Sequence, residues 1–341
     1  MDLDIILEPD LSPAEIAELG LLAEKLNFRA IWVQNYSSAR DAFMSLVHLA
    51  QVSKQIKLGV VIVSPYEMHP MKITNAVLTL NEYANGRAMV VVGSGGEWPQ
   101  VMASEVFDSG YGQRLRNVRE TLEIMKHSII EKELHYDGGA YSTRRFSTQW
   151  HTDTPPLIYH GACGPRMIRM GAGIADGIMM SDVMPKMFET RLPLLKETLY
   201  ENGRADDGFR VSNFVAWHIR EDRESSFAEA RRELIVRGWL ERDWLEPFLT
   251  AEETESILND RWPFLKPWLE RHGEIEGVPK HVVDTLVEEL SLSGDLGDIE
   301  GHMERFQAFE EAGFTEIALR IHEDPADSIR LIGERVLPEL G

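Results

Sequence analysis

The chain has 341 residues, 43% hydrophobic and 27% charged, proportions that exclude a disordered chain and leave room for a sizeable core. Fifty-six acidic against thirty-five basic side chains give a formal charge of −21, which opposes binding to a phosphate backbone and excludes nucleic acid as a partner class. No apolar run reaches the roughly 18 residues of a membrane span, and the start Met1-Asp2-Leu3-Asp4 lacks the basic region of a signal peptide, so a cytoplasmic protein is expected.

In chain order, Leu3 to Leu7 reads as a short strand, and Ser12-Pro13 opens a helix with Ile16, Leu19, Leu22, Ala23 and Leu26 at helical spacing. Ala30 to Val33 is a second strand, followed by a helix from about Ala42 to Ser53, and Leu58 to Val63 is a third, rich in β-branched residues. A helix from about Met71 to Tyr83 stops at Asn85-Gly86, and Ala88 to Val92 makes a fourth strand. Leu115 to Ile130 is a long helix, Leu157 to His160 a fifth strand, Met167 to Gly173 a short helix and Gly177 to Met180 a sixth strand. Phe188 to Tyr200 is a helix, Val211 to Ile219 a seventh strand and Glu316 to Ile321 an eighth.

Eight apolar strands alternating with helices predict parallel βα units closed into an α/β (β/α)8 TIM barrel, treated as one domain over residues 1–341. A doubly wound open sheet would ordinarily carry a GxGxxG loop after an early strand, and none occurs. Two stretches interrupt the repeat and are expected as insertions at the C-terminal face of the strands. Residues 131–156 are polar and contain Asp137-Gly138-Gly139, suited to a small hairpin or lid; residues 238–297 contain Trp239, Trp244, Trp262, Phe264 and Trp268 among acids and prolines. These aromatics either pack the insertion onto the barrel or form a substrate lid.

Chemistry is expected where strands end. The third strand runs into Ser64-Pro65-Tyr66-Glu67-Met68-His69-Pro70, the fourth into Gly93-Ser94-Gly95-Gly96-Glu97, whose glycines let backbone N–H groups approach a planar or anionic ligand. The fifth runs through His160 into Cys163-Gly164-Pro165-Arg166-Met167, a small-residue turn that opens a helix and is either a phosphate site or an ordinary helix start. His160 either points into the barrel mouth or is a hydrogen-bonded core residue. Cys163 is the only cysteine and the histidines are scattered, so neither a disulfide nor a structural metal is expected. No strand end carries a lysine, which disfavours a Schiff-base aldolase.

Taken together and in this order, Ile31-Trp32-Val33 with Arg40, Leu58-Gly59 through Ser64-Pro65-Tyr66 to His69-Pro70, Asn85-Gly86-Arg87, and Gly164-Pro165-Arg166-Met167 through Ala175-Asp176-Gly177 resemble the luciferase-like monooxygenase superfamily. Within it the chain is similar to the deazaflavin-dependent methylenetetrahydromethanopterin reductases, over about residues 1–235 and again over 298–338. The resemblance implies a non-prolyl cis peptide near Val61-Ile62 behind the cofactor ring, contacts from Ser64, Ser94 and Gly95, a phosphate turn at Cys163, Gly164, Pro165, Arg166 and Met167, and a contact to the cofactor tail from Ser181. It makes Cys163 a lining residue rather than a nucleophile.

The chain departs from that pattern in its acid/base positions. Related deazaflavin enzymes often carry Asp-His at the end of the second strand, where this chain has Asn35-Tyr36, and a Glu where it has Gly96, with Glu97 one place along. Tyr36 then either donates a proton or only a hydrogen bond, and Glu97 is either a base or a solvated loop carboxylate. The resemblance implies coenzyme F420-dependent hydride transfer to or from a small-molecule substrate, in a homodimer. The alternatives are an FMN-dependent monooxygenase supplied by a partner flavin reductase, and a flavin-binding protein without turnover.

Overall fold

The computed structural model describes residues 1–95, 109–205 and 207–340. Its strands are β1 (Asp2–Leu7), β2 (Ala30–Gln34), β3 (Lys57–Val63), β4 (Ala88–Val92), β5 (Leu134–Asp137), β6 (Ser142–Phe146), β7 (Leu157–Gly161), β8 (Gly177–Ser181), β9 (Arg210–Trp217), β10 (Ser291–Leu292) and β11 (Glu316–Ile321). Strands β11, β1, β2, β3, β4, β7, β8 and β9 pair in that order, and β9 pairs with β11 to close the ring. All ladders of the ring are parallel. The architecture is a closed α/β barrel with helices between its strands, as the eight apolar runs predict.

Local chemistry sets where each element begins and ends. The first helix, Pro13–Lys25, has a reciprocal cap: the Glu15 N–H donates to Ser12 Oγ and the Ser12 N–H to Glu15 Oε2. The helix Pro70–Tyr83 ends where Asn85 and Gly86 both take positive φ, which frees the chain to turn into β4. Residues 131–156 hold the expected hairpin, β5 paired antiparallel with β6, and Gly139, Ala140 and Tyr141 donate backbone N–H bonds to the buried Glu120 carboxylate.

The 238–297 stretch is more ordered than its polar composition suggests. It contains helices Arg242–Leu245, Ala251–Asn259, Trp262–Glu270 and Lys280–Leu290, followed by β10. Strand β10 pairs with Ala216 and Trp217 of β9, just beyond the last β8–β9 pair at Ser181 and Phe214. The insertion thus takes up the hydrogen-bonding edge that β8 vacates at the mouth.

Two apolar layers result, because the strands are buried on both faces. The outer layer lies between strands and helices; the inner one fills the barrel with Ile6, Trp32, Met89, Val91, Tyr159 and Met179, among others. A Cβ on Gly59 would fall 2.0 Å from Trp32 Cε3, so only glycine there admits the indole to the barrel interior. Among the described residues no helix is long and apolar enough to cross a membrane.

The barrel floor is charged. The buried carboxylates Asp4 and Glu316 are held by Arg29, which pairs with both, and by Arg210, 2.7 Å from Glu316. Trp32 Nε1 donates to Asp4 at 2.8 Å and Tyr159 Oη to Glu316 at 2.8 Å. Removing one partner of such a cluster leaves a buried charge uncompensated. Arg29→Met is therefore expected to lower the unfolding free energy in urea by about 3 kcal/mol or more; a loss below about 1 kcal/mol would show that water reaches the floor and solvates the carboxylates.

Candidate functional site

A cavity of about 350 Å³ opens at the C-terminal ends of the strands. One side is formed by the ends of β3, β4, β7 and β8 through Val61, Ile62, Val91, Gly161, Cys163 and Met179; the other by β2, β9 and β11 through Gln34, Tyr36, Phe214 and Arg320. Residues Val236, Gly238, Trp239, Glu241 and Trp244 of the second insertion complete the rim.

The Val61–Ile62 peptide is cis, and the β3–β4 register shifts between Val60 and Val63. Glycine makes this wall possible: a Cβ on Gly93 or on Gly161 would fall 2.3 or 2.4 Å from Ile62 Cδ1. Asn35 braces the bend, its N–H donating to Val61 O at 2.8 Å and its amide Nδ2 to Ile62 O and to Glu67. Ser64 is fully buried and does not line the cavity; its Oγ donates to Ser94 O at 3.0 Å and ties the β3 loop to the β4 loop. Gly95, with a φ of +87°, lines the cavity, whereas Ser94 stands behind it. Gly96 and Glu97 lie outside the described residues.

After β7, Cys163 faces the cavity and accepts the Ser181 N–H at 3.3 Å, and burial pushes its thiol up to about 11, so it stays protonated. The helix Pro165–Ile174 starts at Gly164 with no side-chain cap, and a Cβ on Gly164 would meet, among the described residues, the Tyr111 hydroxyl at 3.9 Å. Arg166 is exposed and stacks 5.3 Å from the Tyr111 ring centroid, and Met167 is half-buried. Gly164, Pro165, Arg166 and Met167 thus stand outside the cavity proper, directly after its lining residue Cys163. His160 is buried, and a Cβ on Gly171 would strike it at 2.6 Å; it packs against the helix layer, not into the mouth. Burial drops its imidazole to about 4.

Tyr36 lines the cavity from the opposite side and accepts a hydrogen bond from Arg320 Nη2 at 2.5 Å. Burial, opposed by Arg320, pushes its hydroxyl well above the ordinary phenol range, so it is a neutral donor. Arg320 is itself paired with Glu8 at 2.6 Å. Behind it His322 lies 3.2 Å from Glu8 and stacks on His218 with 5.3 Å between ring centroids. Glu229 and Glu233 close this cluster. Burial holds the His322 imidazole well below its ordinary range despite Glu233.

The tryptophans of the insertion divide between the two roles set out for them. Trp239 and Trp244 line the cavity, Phe264 and Trp268 pack into the core and Trp262 is exposed. Gln34, Phe214, Arg320 and the buried pair Asp182–Arg237, with 2.9 Å between Oδ1 and Nη1, had no place in the sequence reading. A charged residue inside an apolar strand, as Arg320 is, was the one available signal.

A family model described as luciferase-like monooxygenase matches residues 4–316. The chain belongs to that family. It is 28% identical to the 5,10-methylenetetrahydromethanopterin reductase of Archaeoglobus fulgidus, with all of both chains covered. It is 24% identical to the F420-dependent glucose-6-phosphate dehydrogenase of Microbacterium testaceum, over 96% of this chain and 94% of that one. The solved coenzyme F420-dependent tetrahydromethanopterin reductase of Methanopyrus kandleri superposes with a TM-score of 0.80 at 22% identity, covering 100% and 99% of the two chains. The likeness therefore runs through residues 238–297, which the sequence motifs left outside it.

The acid cluster behind Arg320 carries a pH signature. Burial raises the Glu229 carboxyl, but His218, Arg220 and His322 outweigh it and bring it from 4.5 down to about 2; Glu233 is brought to about 2 against burial by His322 and Arg320. A depressed carboxyl stabilises the fold fully above its unfolded value, and that contribution disappears as pH falls from 4.5 through about 2. Stability measured by urea unfolding is expected to drop between pH 5 and pH 2.5, and Glu229→Gln to cost stability at pH 7 while flattening that slope; an unchanged slope would show that other carboxyls carry the acid transition.

Proposed function

We propose that the protein is a coenzyme F420-dependent oxidoreductase that moves a hydride to or from a small organic substrate. The observation that carries this reading is the apolar slot between the Val61–Ile62 bend and the Gly161-Cys163 edge, followed directly in the chain by an uncapped helix start with Arg166 in its first turn. A planar ring with a phosphorylated tail fits both halves of that arrangement: apolar walls for the ring, free N–H groups and a guanidinium for the phosphate. The full-length relatives include an F420-dependent dehydrogenase and a methylenetetrahydromethanopterin reductase, which act on small molecules.

In this reading Val61, Ile62 and Gly95 pack against the ring, Gly164, Pro165, Arg166 and Met167 hold the tail, and Cys163 and Ser181 line the passage between. Ser64 and Ser94 keep the two loops in register from behind. The cofactor supplies the two-electron chemistry when bound. The chain's own task is to bind, orient and exclude water, and to hold a proton at Tyr36 Oη, which Arg320 positions toward the cavity. Asn35 maintains the bend rather than exchanging protons. Glu97, which follows β4 in the sequence, is proposed as the base.

The same proposal places the enzyme in the cytoplasm as a homodimer. Its support is an apolar groove between the helices Ala42–Val52 and Pro70–Tyr83, lined by Phe43, Met44, Val47, Met68 and Leu80, with Met44 and Tyr83 exposed.

A paired titration of the purified protein with coenzyme F420 and with FMN, followed by tryptophan quenching, tests the cofactor. Preference for coenzyme F420 is expected, with Arg166→Gln weakening it roughly tenfold at an unchanged melting temperature. Preference for FMN would move the protein to the monooxygenases served by a flavin reductase. Binding of coenzyme F420 that supports no turnover with any donor or acceptor would leave a binding protein, and binding of neither would remove the assignment.

A further inference from the structure

The two sides of the cavity differ in kind. The side assigned above to the cofactor is apolar, whereas the β2–β11 side presents hydrogen-bond donors that meet no acceptor among the described residues. Arg320 directs Nε and Nη2 to Glu8 and Nη2 also to Tyr36, while its Nη1 donates to no described residue. The Tyr36 hydroxyl accepts from Arg320, and its own proton has no described acceptor. Gln34 lines the cavity at 5% exposure with Nε2 buried and unpartnered.

Arg237 extends the pattern. It is 1% exposed and gives Nη1 to Asp182, yet both Nε and Nη2 are buried without a partner. Those two nitrogens form the edge with which a guanidinium ordinarily grips two oxygens at once. Its Cζ and that of Arg320 each lie 5.6 Å from the centroid of the Phe214 ring, which lines the cavity. The neighbouring carboxylates are already engaged: Glu8 by Arg320, Glu233 by Arg232 and Arg271, and Asp182 by Arg237 Nη1 and the Gly238 N–H. Glu241, on the rim, stands 3.7 Å from Arg261.

We propose that the substrate carries an oxyanion, a carboxylate or a phosphate, received on this wall by Arg320 Nη1, Tyr36 Oη and Gln34 Nε2, with the charge of Arg237, which stands beside Phe214 outside the cavity lining, as the second cationic contribution. Buried donors without acceptors are costly, and an oxyanion has more lone pairs to satisfy them than a ketone or an alcohol. The arrangement also orients the substrate: its charged end lies against β2 and β11, so its uncharged part faces the apolar side. The inference rests on reading this cavity as the active site of a cofactor-dependent oxidoreductase.

Calorimetric titration of the full chain with benzoate, phenyl phosphate and benzamide, first without cofactor and then saturated with coenzyme F420, tests it. Benzoate or phenyl phosphate should bind at least tenfold more tightly than benzamide, and whichever binds better names the oxyanion. Tyr36→Phe and Gln34→Met, both close to isosteric, should each weaken that binding roughly fivefold or more at an unchanged melting temperature, and coenzyme F420 should leave it in place. Equal binding of benzamide, absence of binding, or indifference to both substitutions would overturn the proposal. Competitive displacement by coenzyme F420 would also overturn it, by assigning the donors to the cofactor ring. Should benzoate bind as described to a protein that binds no coenzyme F420, the oxyanion site stands and the cofactor reading falls.

Discussion

The shape of the mouth depends on one buried ion pair, Asp182 with Arg237. Asp182 directly follows β8 with a φ of 52°, and its two oxygens take Arg237 Nη1 and the Gly238 N–H. Trp244 Nε1 donates to the carbonyls of Ser181 and Asp182, and its indole lies where a Cβ on Gly238 would be, 2.2 Å from Trp244 Cδ2. Three successive residues, Gly238, Trp239 and Leu240, take left-handed conformations, two of them without glycine's freedom. Such a turn persists where the surroundings over-determine it, and here they do so by anchoring both of its ends to β8. Without that anchor Trp239 and Trp244 would have no defined position over the cavity, and the cavity would lose its outer wall.

Because the pair is buried, its contribution lies more in geometry than in net stability. A buried ion pair roughly offsets its own desolvation, while loss of one partner strands a charge. The same logic recurs at the barrel floor, where Asp4 and Glu316 meet Arg29 and Arg210, and behind Arg320, where Glu8, Glu229 and Glu233 meet His218, His322 and arginines. The barrel interior is thus charged at both ends and apolar between them, and the apolar stretch is where the cavity reaches down to Val61, Val91 and Met179.

The fold was legible because its strands are buried on both faces, so each appears as an apolar run with no need for alternation. Strand β10 was not, since two residues carry no periodicity and Ser291–Leu292 pairs only because β8 leaves an edge free. In the site, positions at strand ends were legible: Tyr36, Gly95, Cys163 and Ser181 all line the cavity. Phe214 and Arg320 were not, because they project from within strands, and side-chain direction there depends on barrel register. Asp182 and Arg237 are 55 positions apart, and nothing in local sequence joins them. Ser64 illustrates the converse: a strand-end serine whose hydroxyl serves the neighbouring loop rather than the cavity.

The departure at Asn35-Tyr36 becomes intelligible from these neighbours. A histidine at position 36 would stand against Arg320, whose charge disfavours imidazolium, and an aspartate at position 35 would place a carboxylate beside Glu67. Asn35 instead donates to Glu67 and to the carbonyl of the bend, and Tyr36 offers Arg320 an oxygen without adding charge. A neutral pair at these positions keeps this wall rich in donors, and a wall of donors selects for what is bound more strongly than for how protons move. On the function proposed above, the neutral pair at these two positions therefore bears on substrate recognition more than on proton transfer.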